Sequence, residues 1–119
     1  MTQVIVVPET ADFTHHVSHE NVVWITPNLG TPNLDGRDAR YLAPFWITPD
    51  FNGVNRIYHI TGVSRNEDGG TSITLGNSFV LDEPWDGMGS RRKFEYHPLA
   101  GFGFTEIEPG LLRRNPNVA

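Results

Sequence analysis

The chain has 119 residues, nine basic against fourteen acidic side chains for a net charge of -5, and no cysteine. This length supports one compact core but not two, and the missing cysteine excludes disulfides, thiolate zinc sites and cysteine nucleophiles. The charge has the wrong sign for a protein that holds duplex mainly by neutralising phosphates, and no apolar run approaches the roughly 20 residues that span a bilayer.

Gln3 to Val7 (QVIVV) is an apolar run closed by Pro8 and reads as a buried strand. Thr10 is placed to cap a short helical turn through ADFTHHVSHE, where Phe13 and Val17 lie four apart. Asn21 to Thr26 (NVVWIT) is a second strand, ended by the Pro, Asn and Gly cluster from Pro27 to Gly36, a long surface loop. In Ala39 to Ile47 the alternation puts Tyr41, Ala43, Phe45 and Ile47 on one face and Leu42, Pro44 and Trp46 on the other. Pro44 has no N–H to give a ladder, so this strand is expected at an edge or with a bulge at that point.

Arg56 to Val63 (RIYHITGV) and Ser72 to Leu75 alternate on either side of Arg65 to Gly70, the glycine-bearing turn of a hairpin. Gly76 then interrupts the run before SFVL, which predicts a bulge or bend able to carry a strand around the corner of a closed sheet. A further short strand is expected at RKFEY, with Phe94 and Tyr96 on one side, then a single turn at HPLAGF and a closing strand at GFTEI. Residues 110–119 read as a polar, fraying C-terminal end. The expected fold is mainly β (α+β at most): a single domain over residues 1–119, a small β-barrel with one or two short helical turns.

The order of RYLAPFWITP, RIYHITGV, TSITLGNSFVLDEPW and RRKFEYHPLAGF resembles the PUA-like superfamily, which includes the EVE and ASCH domains, over residues 40–104. The resemblance implies a pseudo-barrel that binds RNA, or reads a modified base in DNA, through a concave pocket. It leaves the acidic N-terminal third unexplained.

Among the aromatic residues Trp24, Tyr41, Phe45, Trp46, Tyr58 and Trp85, stacking against a base is worth about 1–3 kcal/mol per ring and needs no particular base sequence. Most of these rings are expected to fill the core. Trp46, on the strand face opposite Tyr41, and Trp85, in a Pro-Gly loop, are the best candidates for ligand contact. Tyr58, His59 and His97 stand beside or among them, able to bond a base edge or to exchange a proton near neutral pH. Arg91, Arg92 and Lys93 follow the acidic group Asp82, Glu83 and Asp86. Alternation places Arg91 with Lys93, for phosphate or for pairing with those acids. Eight of the nine cations are arginine, which suits bidentate recognition.

His15, His16, His19 and Glu20 form HHVSHE, in which His15 and His19 are spaced for one helical face. No HExxH pattern accompanies them, and they read as a solvated turn with no metal assigned. Ser64, Ser72, Ser78 and Ser90 lack a G-x-S-x-G context, and GMGS and GFGF lack the strand-to-helix setting of a phosphate loop.

The functional expectation is a cytoplasmic binding module for RNA, modified DNA or a modified nucleobase. It would act without a cofactor, a membrane or chemistry of its own, using Trp46, Trp85, Tyr58, His59, Arg91, Lys93 and His97. Two alternatives from other classes stay open: a small nucleotide- or metabolite-processing enzyme using His59 or His97 with Glu95 or Asp82, and an acidic module that meets a protein partner.

Overall fold

In the computed structural model, residues 1–9, 21–89 and 93–116 are described. The strands are β1 (Gln3–Glu9), β2 (Val22–Ile25), β3 (Ala39–Ile47), β4 (Asn52–Arg65), β5 (Thr71–Trp85), β6 (Glu95–Pro98), β7 (Phe104–Glu108) and β8 (Leu111–Arg114). Two 3-10 turns accompany them, at Pro27–Leu29 and Leu99–Phe102. The protein is mainly β, as its alternation predicts. The helical turn expected after Thr10 lies outside the described residues.

The first six strands form one sheet in the order β2-β5-β4-β3-β1-β6, and β7 and β8 form a separate ribbon. β1 and β3 run parallel; the other neighbours are antiparallel. The expected barrel does not form, because β2 and β6 are the two edges of an open sheet. Each has only four residues. At β1 and β3 the sheet instead buries both faces under other parts of the chain, so closure is not needed to dry its core.

Two buried clusters show how this is done. On one side, called here the ribbon face, Val4, Val6, Tyr41, Phe45 and Ile57 pack against Leu99, Phe102 and Phe104. On the other, the loop face, Ile5, Val7, Leu42, Ile73 and Leu75 pack against Leu29 and Leu34 from the connection before β3. The continuous apolar run of β1 follows from this arrangement, since both of its sides are dry. β3 divides as its alternation predicts, with Tyr41, Ala43, Phe45 and Ile47 on the ribbon face and Leu42 and Trp46 on the loop face.

Prolines mark where pairing fails. Pro8 does not end β1, which runs on to Glu9; β6 pairs with β1 only as far as Val6, so the missing N–H falls on a side already free of a neighbour. β3 is an interior strand, and its register against β4 slips between Leu42 and Trp46, the bulge that Pro44 demands.

The β4–β5 hairpin closes as expected, with Arg65 opposite Thr71, Asn66 N–H donating to Gly70 O at 2.9 Å and Gly69 N–H donating to Asn66 O at 3.0 Å. Gly69 has φ +88°, a left-handed conformation that favours glycine. The bulge foreseen at Gly76 is present: Ile60 pairs with Leu75 but Tyr58 with Ser78, so β5 carries one extra residue. That residue moves the apolar positions of β5 from the loop face (Ile73, Leu75) to the ribbon face (Phe79, Leu81). At the other end of the chain, Leu111–Arg114 does not fray but forms β8, held by pairing with β7, by Leu112 against the core and by the Arg114 guanidinium 5.2 Å from the Phe104 ring. No helix among the described residues is long and apolar enough to cross a membrane.

Candidate ligand groove

β4 and β5 fall out of step near the end of β5. Arg56 pairs with Val80 and Val54 with Trp85, so Leu81 to Pro84 bow away from a nearly continuous partner. The bow exposes Asp82 and Glu83 and returns Trp85, half-buried, to the sheet. Bulges of this kind re-aim side chains beside binding sites.

A groove of about 380 Å³ opens between this bow, the 3-10 turn before β7 and the residues that end β8; its walls include Asp82, Glu83, Trp85, Phe102 and Arg114. Its size is at the lower end of small-molecule pockets, which run from roughly 300 to 1,000 Å³.

Trp85 is fixed by three rings. It stacks on Phe102 at 4.7 Å between centroids with 30° between planes, and meets His97 at 4.7 Å and Phe45 at 6.4 Å near the perpendicular. Gly87 lies against the same indole, where an added Cβ would stand 2.9 Å from it. At the rim Arg114 donates to Asp82 at 2.9 Å, an exposed pair. Behind Trp85, His97 Nε2 lies 2.8 Å from Glu95 Oε1, which also accepts the Gly89 N–H at 3.0 Å. A carboxylate in this position orients the imidazole, but His97 packs on the indole and does not line the groove.

The remaining candidate residues are dispersed. Trp46 and Tyr58 pack on the loop face, opposite Trp85, so the two indoles cannot meet one base. Burial pushes the Tyr58 phenol pKa up. His59 sits half-buried 5.4 Å from the Tyr41 ring, with Gly110 close against its imidazole. Lys93 is exposed. Arg91 and the HHVSHE segment lie outside the described residues. Among the described residues no three His, Asp or Glu side chains gather as a metal would need.

Three functional-looking groups were not singled out from the sequence. Arg114 reaches the groove because β8 pairs with β7. Glu106 on β7 accepts from the Tyr41 hydroxyl at 2.9 Å, from Arg40 at 2.6 Å and from Thr2 at 3.2 Å. Burial, partly offset by the Gly110 N–H, pushes the Tyr41 phenol up to about 12. Glu9 is fully buried in register with Trp46, and both of its carboxyl oxygens lack a hydrogen-bond partner among the described residues. Burial raises its pKa to about 10. Its signal was available, since Glu9 continues the in-phase series Ile5, Val7.

No family model, curated protein or solved structure matches this chain.

Proposed function

We propose that this chain is a non-catalytic binding domain that takes a nucleobase, free or carried in RNA or modified DNA, into the groove beside Trp85. The observation that carries the reading is the meeting of an aromatic wall, Trp85 on Phe102, with Asp82, Glu83 and Arg114 in a space of about 380 Å³. A flat ring fits against such a wall, its N–H groups donate to the carboxylates, and Arg114 serves a phosphate. Because Trp85 is already held by three rings, little ordering accompanies binding. The PUA-like resemblance supports the same class of ligand, and a cytoplasmic location suits it. The net charge of -5 points to a base-centred contact with few phosphates. The His97–Glu95 pair is the feature favouring a small enzyme, and it ranks second because the imidazole faces the indole and not the groove.

Titration with nucleosides, short single strands and base-modified duplexes at two ionic strengths tests this. Trp85→Ala should weaken binding by about 1–3 kcal/mol with little change in salt dependence, and Arg114→Ala should lower the salt slope by roughly one unit. If no nucleoside or oligonucleotide binds at low salt, the reading is abandoned.

A further inference from the structure

At its hairpin end the central sheet is covered by the described residues on the loop face only. There Val23, Ile25 and Ile73 are fully buried, while the side chains that alternate with them point to an open surface. Pairing arranges that surface in two rows across β2, β5 and β4: Trp24 beside Ser72 beside Ser64, and Val22 beside Thr74 beside Gly62.

Three properties narrow what this surface fits. Trp24 is 40 % exposed between two neighbours of 0 %, a large ring left in water on an otherwise small-residue face. The indole is laid over Gly70, where an added Cβ would be 2.6 Å from its Nε1 and 3.0 Å from the Ile25 carbonyl oxygen, so the glycine makes room for the ring to lie low. Finally, none of the six positions carries a charge; the one carboxylate seen beside the indole is Asp68, whose Oδ1 would stand 3.1 Å from a Cβ added at Gly70 and could accept from a hydroxyl. Arg65, next to Ser64 on β4, turns its guanidinium to the opposite face, where it donates to Thr71 Oγ1 at 2.6 Å and to Pro32 O at 3.2 Å.

We infer that this face is a second binding site, distinct from the groove at Trp85, and that its ligand is a neutral oligosaccharide. A pyranose ring has an apolar C–H face that lies on an indole and an equatorial rim of hydroxyls that exchange hydrogen bonds with Ser64, Ser72 and Thr74. Ser72 donates to Asn66 Oδ1 at 3.2 Å, so its oxygen keeps the capacity to accept. Neighbouring strands are about 4.8 Å apart, close to the width of one sugar ring, so successive rings meet successive strands. A nucleic acid would bring phosphates to a face whose six positions offer no cation. An apolar peptide would find a single large side chain.

The test is a titration of ¹⁵N-labelled full chain with cellohexaose, chitohexaose and xylohexaose at millimolar concentration, with a heparin hexasaccharide and hexathymidylate as charged comparators. At least one neutral sugar should shift the Trp24 indole N–H and the amides of Ser64, Ser72 and Thr74, and neither polyanion should. Trp24→Ala should abolish the shifts at unchanged Tm, and Trp85→Ala should leave them intact. The inference is overturned if no neutral sugar moves these signals, if the shifts centre on Trp85 instead, or if hexathymidylate binds the Trp24 face more tightly than the sugars do. None of these outcomes decides the nucleobase reading of the groove, which has its own titration.

Discussion

On the ribbon face the carboxylate of Glu106 accepts hydrogen bonds from Tyr41, Arg40 and Thr2, whereas on the loop face Glu9 lies fully buried with none among the described residues. For the first, three donors take the place of water. The second has no donor among the described residues, and burial raises its pKa to about 10. One sheet therefore holds two carboxylates in opposite settings: on the ribbon side one with three donors, and on the loop side one set among apolar side chains.

The largest expected effects are in the packing that both sides share. Phe45→Ala on the ribbon face and Leu42→Ala on the loop face should each destabilise by about 2–5 kcal/mol in urea unfolding. A much smaller loss for Leu42 alone would mean that the loop side relaxes into the space and is the softer of the two.

Glu9→Gln separates the faces more sharply. The Glu9 pKa is raised from 4.5 unfolded to about 10 folded, so its neutral form is the one compatible with the fold. Its penalty is absent below the unfolded value and grows as pH rises towards the folded one. With 1.36 kcal/mol per pKa unit, the penalty at pH 7 is about 3 kcal/mol, and Glu9→Gln should recover a gain of that order. The wild-type Tm should fall between pH 5 and pH 9, and the variant's should stay nearly flat. Parallel pH profiles for the two proteins would show that Glu9 ionises freely.

Tyr41→Phe comes next. It removes the donor to Glu106 and the acceptor of the Gly110 N–H at 3.0 Å, and should destabilise by about 1–3 kcal/mol. No change in chemical denaturation would show that water replaces the hydroxyl. The smallest effect belongs to Arg114→Ala, whose bond to Asp82 is an exposed pair and should contribute at most about 1 kcal/mol to stability.

Much of the fold could be read from period-two alternation. The partition of β3, the β4–β5 hairpin and the bulge at Gly76 are local consequences of side-chain size and of glycine, so a single sequence carries them. Closure of the sheet is not local: it depends on whether the edge strands are long enough to meet, and a barrel and an open sheet covered on both faces have the same alternation. The ligand groove was half legible. Trp85 stood out between proline and glycine. Arg114 did not, because only the β7–β8 pairing brings it to Asp82. The separation of Trp46 from Trp85 was hidden for the same reason, since each reads as an aromatic residue with an open side and only strand order decides which side of the sheet it takes.

β1 sits inside the sheet between β3 and β6, and Thr2 O accepts the Leu99 N–H at 3.0 Å. β1 thus waits for a strand made about 90 residues later before both of its edges are paired. On a ribosome, β1 would leave the exit tunnel with the N–H and C=O groups of one edge unpaired until Pro98 has followed it, while its pairing with β3 and the hairpin β4–β5 can form in the meantime. Such distant pairings make for folding on the millisecond-to-second scale rather than in microseconds. Until then QVIVV is a short, uncharged, β-prone segment with one edge open even after β3 has paired with the other, and for that interval it is exposed to pairing with a strand that is not its own.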